Sequence, residues 1–308
     1  MNSITYLPVK KHQTPNPHPT SVVQKFICLI FFLCSSFTLN AATDNSPETE
    51  QKITPLNLGL IPHLSSNLMI KKYSKLIIYL EDALKRPVII VTAPNYKTYI
   101  QRCAEGKFDL YMTAPNMAAY HIEQNQHIPL AKFSNELRAV IAVRESSSYK
   151  TIMDLKGKTI SAPDALSANA LNSEITLTEN GLNIEKDVDI QYTTSNNNPL
   201  FLLAENKVDA AITGLPGFKM ISKGSKLKQP LRILKKSSTI PHMMFLSPQR
   251  VSEVDRAKFK NTLINITRDK TGKAFISGVP FGDLVDVTDN DLLRINDMRI
   301  LFEKRLAK

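Results

Sequence analysis

Strand-type and helix-type hydrophobic periodicities alternate along this chain from Ile53 onward, and that alternation restricts the fold more than any other feature of the sequence. Leu56, Leu58 and Leu60 recur at every second residue, as the buried face of a strand requires, and Pro62 ends the run. Tyr73, Leu76, Ile77, Leu80 and Leu84 then fall on one face of a helix. The unit repeats: Pro87 to Thr92 reads as a strand, Lys97 to Glu105 as a helix, Phe108 to Met112 as a strand and Met117 to Gln124 as a helix. After Arg138 the β-branched run Val140, Ile141, Val143 opens a second set. Its strands are Lys158 to Ala162, Val188 to Thr193 and Val208 to Thr213, with helices over 168–180 and 199–205. Beyond Pro241, Met243 to Leu246 reads as a short strand, and Phe259, Leu263 and Ile266 mark an amphipathic helix.

Units of this kind build mostly parallel sheets covered by helices. The order suggests one lobe over 53–138, a second over 139–240 and a return to the first over 241–308. Two crossings between lobes would make a hinge and a cleft, a usual place for a ligand. Periodicity by itself fits a single larger α/β domain as well.

Ahead of the fold, Lys25 precedes an apolar run from Phe26 to Leu33, followed by small and polar residues as far as Ala41-Ala42. This has the pattern of a secretory signal peptide over 1–41, with a spacer over 42–52 and a periplasmic destination. The run is shorter than the roughly 20 residues a spanning helix needs. Its removal takes away Cys28 and Cys34 and leaves Cys103, which shares a helical face with Tyr96, Tyr99 and Ile100 and is expected to be buried rather than reactive. The formal charge of +11 falls to about +8 without Lys10, Lys11 and Lys25, an excess that favours an anionic ligand. Lysines are scattered, and the densest stretch, 219–236, holds no aromatic residue, so no nucleic-acid partner is expected.

The chain has no Walker loop, dinucleotide-binding glycine fingerprint, paired-histidine metalloprotease motif or nucleophile elbow. It offers no nucleophile with a partnered base, and an enzyme is not expected. His63, His121, His127 and His242 lack metal-ligand spacing, so neither metal nor cofactor is anticipated. His121 and His127 read as surface residues of a helix and its exit loop. What remains is a set of four places where hydroxyls and amides lead into a helix: His63-Leu64-Ser65-Ser66-Asn67, Thr113-Ala114-Pro115-Asn116, Leu166-Ser167-Ala168-Asn169 and Thr194 to Asn198 before Pro199. Free N–H groups and the positive dipole end at such starts suit an anion. Each is also an ordinary N-cap, so the case rests on four lying at the carboxyl edge of successive strands.

The segment TAPNYKTYIQRCAEGKFDLYMTAP (92–115) is similar to a stretch of phosphate/phosphite/phosphonate-type binding proteins of ABC transporters. MDLKGKTISAPDALSANALN (153–172) resembles the Asp-Leu-Lys-Gly-Lys hallmark of the wider type II periplasmic binding fold. YTTSNNNPLFLLAENKVDAAITG (192–214) and IPHMMFLSP (240–248) resemble later family segments in the same order. The resemblance implies a two-lobed α/β binding protein with two hinge crossings, each lobe a mostly parallel sheet flanked by helices. Such a protein closes on a small anion, here a phosphorus oxyanion such as phosphate, phosphite or phosphonate, and passes it to the membrane permease of an ABC importer. A ligand-sensing partner of a membrane sensor, or an enzyme on the same scaffold, would share that outline, and a monomer is expected.

Matched position by position, the resemblance makes Tyr96 a wall of the cleft, Ser167 the start of an anion-holding turn and Ser195 the serine before a family histidine, whose place Asn196 takes. Ser65, Ser66, Asn116 and Asn169 complete the expected contacts. Ala168 and Ala170 interrupt the usual hydroxyl-rich turn. Met112 stands where an aromatic is common, with Tyr111 expected on the opposite strand face. Thr213-Gly214 replaces the acid that would hold a ligand amine, which argues against an aminoalkylphosphonate.

Overall fold

A computed structural model describes residues 54–223 and 227–307, and the signal-peptide and spacer readings lie outside them. The first sheet begins with β1 (Leu56–Leu60), β2 (Val88–Val91), β3 (Leu110–Thr113) and β4 (Ile128–Phe133). A short strand β5 (Glu136–Leu137) leads into the second sheet, made of β6 (Ala139–Arg144), β7 (Lys158–Ala162), β8 (Val188–Tyr192), β9 (Ala210–Gly214) and β10 (Leu231–Lys236). The chain returns through β11 (Ile240–Pro241) and adds β12 (Met244–Ser247) and β13 (Leu284–Val285) to the first sheet. The orders are β13-β4-β12-β3-β1-β2 and β10-β6-β9-β7-β8.

Each sheet has a parallel core, β2-β1-β3 in one and β8-β7-β9 in the other, extended by antiparallel strands. β12 runs antiparallel to β3 and β4, and β6 runs antiparallel to β9 and β10. The reason is connectivity. A chain that enters a sheet at its carboxyl edge from the other lobe must run down it.

The helices are α1 (Ser66–Leu84), α2 (Tyr96–Ala104), α3 (Pro115–Asn125), α4 (Ala168–Glu179), α5 (Asn198–Ala204), α6 (Leu215–Ser222), α7 (Glu253–Ile264), α8 (Lys270–Ser277), α9 (Asp289–Leu293) and α10 (Asn296–Leu306). The face read for α1 is the one that packs: Tyr73, Leu76 and Leu80 are buried, with Ile77 and Leu84 partly so against the same core. At roughly 1.5–3 kcal/mol for each fully buried large apolar side chain, such faces supply most of what holds helix to sheet. β4, β5, β10, β11, β13, α6 and α8–α10 add to the elements read from periodicity.

The two crossings pair with each other, Ile240 with Leu137 and Pro241 with Glu136. Arg294 fastens them, donating to both carboxylate oxygens of Glu136, at 3.1 and 2.5 Å, and to the Thr239 carbonyl at 2.9 Å. The larger core also crosses the boundary, since Ala168 and Leu171 at the start of α4 pack into the cluster built on the first sheet.

Close packing is tightest at α8. Asp269 caps it, accepting from the Thr271 and Gly272 amides, and a Cβ on Gly272 would lie 2.1 Å from the Ile266 carbonyl oxygen. Gly272→Ala is therefore expected to lower stability by about 1–3 kcal/mol through overpacking, measured as a fall in the urea midpoint. An unchanged midpoint would show that the 266–272 turn can shift without cost.

Candidate functional site

The carboxyl ends of β3, β7, β8 and β9 face one another across the seam between the sheets, and the side chains there are mostly uncharged hydrogen-bonding groups. From the first lobe, Asn95 caps α2 by accepting from the Thr98 amide, which sets Tyr96 at the first helical position. The Tyr96 hydroxyl shares a hydrogen bond with the Asn196 side chain of the second lobe. Burial, with the nearby Asp164 carboxylate, pushes its pKa up to about 12, so it stays a neutral phenol. Asn116 is fully buried in the first turn of α3, and its Nδ2 donates to the Leu166 carbonyl across the seam at 2.9 Å.

From the second lobe, Ser167 caps α4, its Oγ accepting from the Ala170 amide at 3.2 Å. Asn169 lies one turn into the seam, so close to Gly214 that a Cβ there would come within 3.2 Å of its amide. Asn196 presents its carbonyl to the Thr213 hydroxyl at 2.8 Å, which holds the 194–197 turn onto the end of β9. Tyr96 with Asn196, and Asn116 with the residue before Ser167, are thus brought together, with Asn169 beside Gly214.

The other expected contacts are more peripheral. Ser65 is the exposed N-cap of α1 and makes no side-chain cap bond, and Ser66 opens the helix. Ser195 is exposed, its Oγ accepting from the Asn197 amide at 3.3 Å. Met112 is buried in the first core, and Tyr111 lies on the opposite strand face as expected, its hydroxyl 2.6 Å from His127 Nδ1. That contact corrects the reading of His121 and His127 as surface residues. Both are buried, stacked at 5.4 Å between ring centroids beneath Tyr111, because the far face of β3 is covered by α3 itself. Cys103 is buried and free as expected, with burial pushing its thiol pKa well up.

Arg138 and the C-terminal helix were not legible as site elements. Arg138 stands where the first crossing enters β6, its carbonyl accepting from the Leu215 amide beside Gly214. Its Nε is buried without a partner, and no ion pair to its guanidinium occurs among the described residues. The signal available in the sequence was an arginine just ahead of the β-branched run from Val140, where the first crossing ends. At the outer margin, Arg305 of α10 reaches over the seam to Glu174 of α4, where it flanks a cavity of about 340 Å³ lined also by Lys97, Asp164, Leu166, Thr193 and Thr194. Among the described residues no cluster of His, Cys, Asp and Glu could hold a metal ion, and no helix is long and apolar enough to cross a membrane.

Two sheets joined by a paired double crossing, with polar helix starts meeting at the seam, define a two-lobed binding protein of the type II periplasmic class. Solved structures share that fold. A binding-protein component of an ABC phosphonate transporter from Pseudomonas aeruginosa matches with TM-score 0.70 at 16% identity, over 82% of this chain and 87% of its own. PhnD1 from Prochlorococcus marinus, solved with methylphosphonate, matches with TM-score 0.70 at 15% identity, over 82% and 98%. The periplasmic aliphatic sulphonate binding protein SsuA of Escherichia coli matches with TM-score 0.61 at 16% identity, over 82% and 93%. The family model for the phosphonate ABC transporter periplasmic substrate-binding protein covers residues 58–292, and the chain belongs to that family. It is thus the substrate-binding component of a transport system, a class that works with a small ligand and a membrane permease.

Proposed function

We propose that this protein captures a phosphorus oxyanion between its lobes after export, its leader being cleaved near Ala41-Ala42, and presents it as a monomer to the permease. The lobes are the segments 53–138 with 241–308, and 139–240, and they hinge on the paired crossings. The observation that carries the reading is the composition of the seam: the start of α4, Asn116, Asn169 and Asn196 supply neutral polar groups, while Arg138 supplies the only charge we assign to the ligand. Charge-assisted bonds to such groups are each worth roughly 1.5–3 kcal/mol once water is excluded. Gly214 offers no side chain to a ligand amine and Thr213 brings no carboxylate there, so a ligand without an amine fits better. No bond is broken in this scheme, since Tyr96 is held as a neutral phenol and Cys103 as a buried thiol.

Thermal shift of the exported protein against phosphate, phosphite, alkylphosphonates, sulfate and organic acids tests this. A phosphorus oxyanion at 100 times its Kd is expected to stabilise by about 2.7 kcal/mol. Arg138→Gln should weaken the best ligand by about tenfold or more, as the loss of one charged hydrogen bond implies. If none of these anions raises Tm, the capture of an oxyanion is refuted, and an unaltered affinity in Arg138→Gln removes that residue from the site.

A further inference from the structure

The junction between β3 and α3 differs from the other helix starts at the seam in what it offers. Ala114 is the N-cap and brings no side-chain oxygen, and Pro115 at the first helical position has no N–H. Asn116 follows, and its amide cannot be turned round. Nδ2 is committed to the Leu166 carbonyl at 2.9 Å, so Oδ1 is fixed as the free end. That oxygen is buried and has no protein hydrogen-bond partner. The Thr113 hydroxyl at the end of β3 is also fully buried without one. Two unsatisfied buried polar groups within four residues carry a cost that a bound partner would relieve.

An amide oxygen is an acceptor only, so its partner must donate a proton. We propose that Asn116 Oδ1, beside the Thr113 hydroxyl at the same junction, receives the P–OH of a singly charged phosphorus oxyanion and discriminates against sulfate and sulfonates, the amide oxygen being the group that cannot donate to them. This deepens the oxyanion reading above and rests on it. The charged oxygens of the ligand lie toward the second-lobe amides and Arg138, which do not distinguish phosphorus from sulfur. A sulfonate of the same shape and single charge has no proton to give. Its third oxygen would face Asn116 Oδ1, lone pair against lone pair, and both would stay unsatisfied. Phosphate, phosphite and phosphonates share the P–OH group, and the corner selects that chemistry rather than the substituent on phosphorus.

The test compares the isosteric pair methylphosphonate and methanesulfonate, and phosphate with sulfate, by isothermal titration at about pH 6, where the phosphorus anions are mainly singly charged and carry at least one P–OH. The wild-type protein is expected to prefer the phosphorus member of each pair by about 10- to 100-fold, the range that an unpaired buried polar group produces. Asn116→Leu should lower affinity for the phosphorus anion and raise that for the sulfur anion, whose lone-pair clash it removes, so that the ratio collapses; Thr113→Val, which removes a hydroxyl able to donate as well as accept, should weaken both members. A purely structural role of Asn116 would weaken both members alike and leave the ratio intact. A wild-type ratio near one overturns the proton-acceptor assignment and leaves oxyanion capture standing. Failure of all four anions to bind overturns both.

Discussion

Lowering the pH from about 7.5 to 5 is expected to destabilise this protein by several kcal/mol, well before its carboxylates titrate. Four histidines are enclosed, and burial holds each neutral: the pKa falls to about 4 for His63 and His127 and to about 3 for His121 and His242. Neighbouring positive charge adds to the effect, Lys72 acting on His63 and on His242, and Arg250 on His127. In the unfolded chain the same rings titrate near 6.5. Above that pH both states are neutral and the histidines contribute no pH dependence. Below it the unfolded chain takes up protons that the fold refuses, so stability drops until the folded pKa near 3 to 4 is reached. At pH 5 this is about 2 kcal/mol for a fully buried ring.

Urea midpoints measured between pH 7.5 and 5 check this, and a flat profile would contradict the burial of these rings. His242 offers the sharper control. It packs against Phe281 at 4.6 Å and Phe133 at 5.7 Å between ring centroids, and its buried Nδ1 has no hydrogen-bond partner. His242→Phe keeps the aromatic contacts and should reduce the loss between pH 7.5 and 5 by one ring's share, about 2 kcal/mol.

Arg305→Met is expected to cost about 3 kcal/mol, seen as a fall in Tm of roughly 6–12 °C for a chain of this size. Glu174 is a carboxylate with no exposure, inside α4. Arg305 grips it with Nη2 at 2.6 Å and Nη1 at 3.3 Å, and the Tyr192 hydroxyl donates to the same group at 2.8 Å. Removing the arginine leaves a buried charge with only the tyrosine, and breaking such a pair from one side costs about 3–5 kcal/mol. We take the lower end because the Arg305 side chain is 20% exposed and water can replace part of it. The pair also acts at a distance from its own residues. Phe302 anchors α10 beneath Tyr120 of α3 in the first lobe, so Arg305 ties that lobe to Glu174 and Tyr192 of the second. The variant should therefore speed ligand release as well as lower Tm. A Tm within a degree of wild type would mean that the clasp contributes nothing.

The sequence carried much of the site because caps are local. Ser167 was readable as the start of α4 from hydroxyls and amides placed directly before a helical period, whereas Tyr96, which opens α2 one residue before the helix read at Lys97, entered only through the family resemblance. The pairings across the seam were not readable in the same way. Asn116 with Leu166 and Arg305 with Glu174 join residues 50 and 131 positions apart, and no periodicity links them. Glu174 sits in a helix buried along most of its length, with Asn172, Ser173 and Thr176 also enclosed, and Arg305 of α10 supplies the charge that balances it. His121 and His127 were misread for a related reason: a polar ring at a helix end resembles a surface residue until a second polar ring and Tyr111 stack on it.

By itself, then, the sequence determined the principal strands and helices of the two sets of βα units, their order, and the polar starts of four helices, because these depend on neighbours within a few residues. Tertiary structure alone decided which starts meet, which buried oxygens are left without a donor and how the C-terminal helix fastens the lobes. Those properties arise where distant segments exclude water together, and a hydrogen bond or charge there acquires its energy only once both partners are in place.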